Sequence, residues 1–467
     1  MSSSAASERL VVPALCQPSL LADLPSHDTI FHLLAKHIPP HLRPARDTTG
    51  TFPPDESPTN PDLALAMRTN AWRRIALYAR ERIISAGAPA PSSQPVHDLE
   101  PAGPNDVSTV LRWWTVRLQA LLRLRLYSQF QLELESLWAI LKRTTIPRHS
   151  SSSSSSTATT TVRWARLLDS PIVPFSLHVL RAREPLLSAD PRAALEKCHA
   201  LLQRCKVMQR RFVRVAKVDG LLQEGTGTSE LEAGARAEAG LWEERGRRMT
   251  VLIAFILLDL EDYPAAINLL RPLISPSPSS SPTAQAYNLL FARLFLEAGA
   301  VASAQACIQS VSASLPTPIA SSDIRTDSGS AESQLQQLLD VSKALLAVWQ
   351  GDYPAAVGQW ERVVHGPQSQ SGNHMDMDNS REINPAAMSN LALSRFYQGN
   401  VDEATTLLER LLQDEPSTAT SAEAVIFNLI TMHELRSDDS ISHKRRILVH
   451  VAQWAGDGTG TSCLKLI

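Results

Sequence analysis

The sequence predicts an all-α protein: an α-solenoid of antiparallel helix pairs, with a disordered N-terminal arm and low-complexity loops. Three observations carry this. The pentapeptide Asp-Tyr-Pro-Ala-Ala occurs twice, at Asp262–Ala266 and Asp352–Ala356, each time between two apolar runs. Alanines recur twelve residues apart, as Ala182 with Ala194, Ala254 with Ala266, Ala292 with Ala304, Ala344 with Ala356 and Ala392 with Ala404, and Gly299, Gly351 and Gly399 each stand five residues before a second alanine. Apolar residues return at intervals of three and four rather than two, the helical period, and nothing suggests strands.

Each pentapeptide reads as a turn followed by a helix start. The aspartate accepts from free backbone N–H groups, and proline is tolerated in the first turn, where its missing donor is not needed. Four residues after each downstream alanine stands a larger side chain, Cys198, Leu270, Ile308, Trp360 or Leu408, on the same helix face. Small opposite small, followed by large, lets two antiparallel helices approach closely and fill the remaining gap. The pattern resembles the tetratricopeptide repeat, two helices and a short turn in roughly 34 residues. The cleanest units run Met249–Ser275, Thr283–Pro316, Gln334–Pro367 and Ala387–Pro416, and the stretch Glu196–Glu244 has room for one more helix pair.

Along the chain, residues 1–65 are rich in Pro, Ser, Thr and Asp and are expected to be a mostly disordered arm. Residues 66–248 are expected to form the N-terminal helical part, with a Ser-rich insertion at 149–161 that cannot build a core. Its first helix is placed at Asn70–Ile84, with Trp72, Ile75, Ala76 and Ala79 on one face. Val107–Arg143 follows as two segments meeting near Tyr127–Phe130. Residues 249–467 are read as the repeats and a C-terminal cap, the last block, Ala422–Trp454, holding two helices.

Charge is balanced, 45 basic against 47 acidic residues, so no chain-wide field is present to hold nucleic acid. Five scattered cysteines without a Cys-x-x-Cys pair suggest reduced thiols in the cytosol rather than disulfides or zinc. Glu8 and Arg9 interrupt what would be a signal peptide, and the most apolar run, Val251–Leu258, is far below the ~20 residues a bilayer span needs. No catalytic, cofactor or metal residue is expected. Cys198, His199 and Cys205 read as buried thiols and a helix-edge histidine, His374, Asp376 and Asp378 as a solvated linker, and Gly456–Thr461 as a flexible turn without the lysine of a phosphate loop. Arg204, Lys206, Arg210, Arg211, Arg214 and Lys217 are the densest basic stretch. Arg210, Arg214 and Lys217 share one helical face, which reads as a solvated surface or as a contact for an acidic partner or a phospholipid headgroup. Trp360 is expected in the core, and Trp349 either in the core or at a partner contact. Phe427 and Leu435 are expected to pack the last helix pair, and Asn428 to satisfy a buried backbone group; if exposed, they become partner contacts.

Several segments together resemble the trafficking protein particle (TRAPP) complex subunit 12 family. They are Val425-Ile-Phe-Asn-Leu429, Thr431-Met-His-Glu-Leu435 and the ending Cys463-Leu-Lys-Leu-Ile467. Before them come Asn70–Trp72, Arg117-Leu118, Leu124-Arg-Leu-Tyr127 with Glu133 and Glu135, Val173-Pro-Phe-Ser-Leu177 and Leu241-Trp242. The resemblance spans about residues 70–467. It implies a non-enzymatic tetratricopeptide scaffold of the TRAPP membrane-tethering complex, binding other TRAPP subunits and acting between endoplasmic reticulum and Golgi and in autophagy. It implies a cytoplasmic protein, peripheral to membranes through the complex. A rival reading is a co-chaperone-like module gripping acidic C-terminal peptides, for which Asn288, Lys343 and Asn390 are the available residues.

Overall fold

The computed structural model describes residues 13–25, 27–44, 61–87, 106–149, 162–222, 230–274, 282–315, 328–365 and 384–466. The chain divides into two compact units, residues 1–187 with 444–467, and residues 188–443. The division at 187/188 differs from the expected one at 248/249, which falls inside a single continuous helix, Glu230–Asp259. The helix continues because no glycine turn or proline interrupts its apolar spacing there. The Ser150–Ser156 run and the His374, Asp376 and Asp378 group lie outside the described residues.

Unit 1 contains α1 (Thr29–His37), α2 (Pro61–Arg68), α3 (Trp72–Ser85), α4 (Val107–Arg123), α5 (Tyr127–Arg143) and α6 (Phe175–Arg183). Its core is the apolar face of α4 and α5, with Leu111, Trp114, Leu118, Leu121, Phe130 and Leu134 all at most 1% exposed. One correction concerns strands. β1 (Thr145–His149) and β2 (Val162–Arg166) pair antiparallel, Thr145 opposite Arg166 and His149 opposite Val162. This ribbon brackets the serine-rich insertion, and its local pairing left no alternation long enough to read against the helical background.

The N-terminal stretch is a second correction. Residues 13–25 and 27–44 hold short 3₁₀ turns and α1, and they are packed into unit 1: Leu15, Leu21, Ile30 and Leu34 are all at most 4% exposed. The Trp114 indole N–H donates to the Leu15 carbonyl at 3.0 Å. A buried ion pair fixes the same segment. Arg117 and Glu133 are both fully enclosed, with Arg117 Nη2 2.7 Å from Glu133 Oε1. Arg117 also donates to the Ala76 carbonyl (3.0 Å) and the Ala22 carbonyl (2.6 Å), while Glu133 accepts from the Ala22 N–H at 2.9 Å. Four separate segments therefore meet at one guanidinium–carboxylate pair.

The chain end closes the other side of this unit. Asp457 donates its N–H to the Asn70 carbonyl (2.9 Å) and accepts the Arg73 N–H (3.0 Å), and Arg125 Nε donates to the Gly458 carbonyl at 3.1 Å. Gly456 and Gly458 have φ of +71° and +79°, and a Cβ on either would run into the backbone of Thr69 and Asn70 or of Arg123. The expected flexible turn at 456–461 is thus a fitted clasp, and glycine stands there because the backbones approach too closely for any side chain.

Unit 2 contains α7 (Pro191–Leu222), α8 (Glu230–Asp259), α9 (Tyr263–Ile274), α10 (Pro282–Glu297), α11 (Val301–Ser314), α12 (Ser328–Trp349) and α13 (Tyr353–His365). It continues with α14 (Pro385–Tyr397), α15 (Val401–Asp414), α16 (Pro416–Ser421) and α17 (Glu423–Arg436). The last helix, α18 (Ser440–Trp454), belongs to unit 1 from Lys444 onward, so it is not the array cap that was expected. Its apolar stripe, Ile447, Leu448, Val451 and Ala452, is buried, and it leads directly into the clasp. Within unit 2 the helices are successive antiparallel pairs, with apolar clusters formed by α8–α10, by α10–α12 and by α12–α14.

One turn geometry recurs throughout. After α10, Ala298 N–H bonds the Leu294 carbonyl, Gly299 N–H the Leu296 carbonyl and Ala300 N–H the Phe295 carbonyl. The same three bonds close α2, α4, α8, α12 and α14. This is a helix end whose left-handed residue releases the chain into the next helix, and that residue is Asn70, Arg125, Glu261, Gly299, Gly351 or Gly399, with φ between +54° and +89°. After the pentapeptide turns, the Asp262 and Asp352 carboxylates each accept the N–H three residues on, both at 3.1 Å. Glu261 is exposed and carries a Cβ in a conformation that costs about 1–2 kcal/mol. Glu261→Gly is therefore expected to stabilise unit 2 by about 0.5–1 kcal/mol, the strain relief less the entropy glycine adds to the unfolded chain. A urea midpoint that stays put or falls in the variant would show that no strain is held at this turn.

Candidate functional site

Binding in a helical array depends on which side chains the crossings consume and which they leave outside. The crossings consume the small residues. Ala182, Ala194, Ala254, Ala266, Ala292, Ala304, Ala344, Ala356, Ala392 and Ala404 are all at most 3% exposed, as are Cys198, Leu270, Ile308, Trp360 and Leu408. Ala254, Ala266 and Leu270 share one cluster, Ala292, Ala304 and Ile308 another, and Ala344, Ala356 and Trp360 a third. In unit 1 the positions corresponding to the two alanines around Arg125 are Leu118 and Phe130, both buried. The same turn is there packed with large side chains, so alanine spacing could not reveal it.

The surface keeps a different set. Arg210, Arg214 and Lys217 are exposed on α7. Trp349 is 51% exposed at the last residue of α12, and Tyr397 is 60% exposed at the last residue of α14. Trp349 follows Ala344 by five residues and Tyr397 follows Ala392 by five, so the two occupy equivalent places in successive pairs. Tyr397 stacks on Tyr353 with ring centroids 5.2 Å apart. Sequence reasoning missed Tyr397, although its offset from the alanine could have found it.

Two expectations about α17 are corrected. Phe427 and Leu435 do not fill the last helix pair but are 45% and 65% exposed, because Val425, Ile426, Leu429, Ile430 and Met432 form the buried stripe instead. Asn428 Nδ2 donates to the Ser389 hydroxyl at 2.8 Å, a side-chain partner rather than a backbone group. Near these helices Arg395 pairs with Glu361 (2.6 Å) and Glu403 (3.4 Å), and Arg436 with Asp402 (2.9 Å).

A cleft of about 380 Å³ opens among α7, α8 and α9. Trp242, Leu202, Pro272 and Leu273 give it apolar walls, and Lys206 and Arg247 bring charge to it. Glu243 holds Arg247 and accepts from Gln209 Nε2 at 3.2 Å, and the Arg245 guanidinium lies over the Trp242 ring at 4.5 Å. Cys198 and Cys205 are enclosed in the α7–α8 contact. Burial pushes the Cys205 thiol up to about 11 despite nearby Arg245 and Arg204, so at neutral pH it is a protonated packing group and not a nucleophile. Burial also raises the thiols of Cys16 and Cys307. Among the described residues no three His, Cys, Asp or Glu side chains converge to hold a metal ion, and no helix is long and apolar enough to cross a membrane.

No family model matches the chain. It is 26% identical over 297 residues to human trafficking protein particle complex subunit 12, covering 63% of this chain and 35% of that protein. To the mouse subunit 12 it is 25% identical over 297 residues, covering 63% and 33%. The chain thus spans about a third of the length of these relatives. The TPR domain of P58(IPK), a solved structure, matches at 12% identity with a TM-score of 0.20, over 86% of this chain and 93% of that one. The helix pairs, their shared turn and the sequence similarity together make this chain an all-α protein of repeated helix pairs, similar to trafficking protein particle complex subunit 12.

Proposed function

We propose that the protein is a scaffold subunit of the trafficking protein particle complex, binding other subunits through its helical-repeat surface in traffic between endoplasmic reticulum and Golgi and in autophagy. It meets membranes only through that assembly and performs no catalysis. The observation that carries the reading is the similarity to subunit 12 over 297 residues. The surface supports it: exposed aromatics at equivalent places, Trp349 and Tyr397, are the side chains most enriched at binding hot spots. The co-chaperone reading finds less support. Asn288, Lys343 and Asn390 stand four, one and two residues before their repeat alanines, so they do not occupy equivalent places on successive helices.

Affinity purification of the tagged protein from cytosol, followed by mass spectrometry, is expected to recover other subunits of that complex. The double variant Trp349→Ala/Tyr397→Ala, with unchanged folding, should recover them at least tenfold less well. Purification of the protein by itself would overturn the assignment.

A further inference from the structure

Lys206 belongs both to the basic stretch on α7 and to the cleft beside it. Lys206, Arg210, Arg214 and Lys217 follow one another at intervals of four, four and three, which sets them in one line along about 16 Å of helix. All four are exposed. From Lys197 to Lys217 the helix carries no acidic residue. Among the described residues no carboxylate pairs with Lys206, Arg210, Arg211, Arg214 or Lys217. Elsewhere in the same unit several cations are matched: Arg247 with Glu243, Arg248 with Glu244, Arg395 with Glu361 and Arg436 with Asp402. A row of unmatched cations on a chain of balanced charge is a local field that only an external anion neutralises.

The cleft narrows what that anion is. At about 380 Å³ it lies at the small end of ligand pockets, roughly 300–1,000 Å³, which suits one or two side chains rather than an extended ligand. Trp242, Leu202, Pro272 and Leu273 form the apolar part of its lining, beside polar Gln209, Glu243, Arg247 and Thr250, and Lys206, the first residue of the basic line, also lines it. A flat anionic bilayer would leave the cleft empty. Helices that lie on bilayers also present Trp, Phe or Leu outward for insertion. Here the apolar side of α7, with Cys198, Leu201, Leu202, Cys205 and Ala216, is buried, and among its described side chains the large apolar ones that are exposed are Val207, Val213 and Val215.

We propose that the exposed face of α7 and the adjoining α7–α8–α9 cleft form one binding site for an acidic peptide segment of a partner protein, a segment with carboxylates spaced along the basic line and one apolar side chain seated in the cleft. Lys206 stands where the two parts join, and Arg210, Arg214 and Lys217 receive the carboxylates. Because the contacts are solvent-exposed, binding weakens steeply with salt. The site does not depend on the protein's being a trafficking-complex subunit, so each reading survives failure of the other.

The probe is a fluorescein-labelled twelve-residue peptide with alternating glutamates and one central leucine, followed by fluorescence anisotropy on the full chain. Binding is expected, with at least tenfold loss in Arg210→Glu/Arg214→Glu/Lys217→Glu and in Lys206→Glu, both with unchanged thermal melts since these side chains are exposed. A peptide with serine in place of the leucine should bind about tenfold more weakly. Affinity unmoved by the triple reversal, or no binding below about 1 mM peptide, would overturn the site. So would equal affinity of the serine peptide, which would leave charge without the cleft. Sedimentation of the protein with phosphatidylserine vesicles and no response to the peptide would assign the face to membranes instead.

Discussion

Arg117→Met alone, or Glu133→Leu alone, is expected to lower the stability of unit 1 by about 3–5 kcal/mol, because each leaves an enclosed charge without its counter-charge. Neither side chain has any exposed surface. For an isolated buried pair, replacing both partners by apolar groups is often neutral. Here it should not be. The guanidinium also holds the Ala76 and Ala22 carbonyls, and the carboxylate holds the Ala22 N–H. The double variant strands two backbone groups, the Ala22 carbonyl and N–H, at about 1–3 kcal/mol for each left unsatisfied, while the Ala76 carbonyl keeps its bond within α3. It should therefore recover only part of the loss. The check is urea unfolding of wild type, both single variants and the double variant, with limited proteolysis to locate the change. Cleavage should appear first around residues 13–25, the segment the pair ties to α3, α4 and α5. Singles that cost under about 1 kcal/mol, or a double variant at wild-type stability, would remove the pair from its place as the organiser of this unit.

The helix-pair architecture was legible in the sequence because a tight turn between helices has a chemical requirement. The residue with positive φ favours glycine, and Gly299, Gly351 and Gly399 marked three turns, with the Asp-Tyr-Pro-Ala-Ala motif following at Asp352 and occurring also at Asp262. Where Asn70 and Arg125 fill the same position, the mark vanished although the hydrogen bonds are the same. The N-terminal segment was misread for a different reason. Its composition is that of a disordered arm, and what orders it is remote: Leu15 meets Trp114, 99 residues away, and Ala22 meets Glu133, 111 residues away. Local periodicity carries no trace of such contacts. The glycines at 456 and 458 suggested mobility, whereas they answer to a backbone met more than 300 residues earlier. On the candidate surface, the basic line on α7 was legible because helical spacing alone places it. The cleft was not, because it arises where three helices fail to close.

Ala266→Phe and Ala404→Phe test the claim that the alanines set the approach of paired helices. Both positions are fully buried, Ala266 against Ala254 and Leu270 in one cluster, and Ala404 in the α14–α15 crossing. A phenyl ring there has no void to enter. It must push apart two helices whose small side chains define their separation, at a cost of about 1–3 kcal/mol or more. Because each pair packs on its neighbours, separation at one crossing also disturbs the next interface, so the loss should sit toward the upper end of that range. Ala306→Phe is the matched control: it lies on α11, two residues beyond buried Ala304, and faces solvent. It should change stability by no more than about 0.5 kcal/mol. Denaturant midpoints of the three variants, with the Trp360 environment followed by fluorescence, decide the matter. If the buried substitutions cost no more than Ala306→Phe, the helices do not meet through these alanines, and the spacing of twelve records the turn alone.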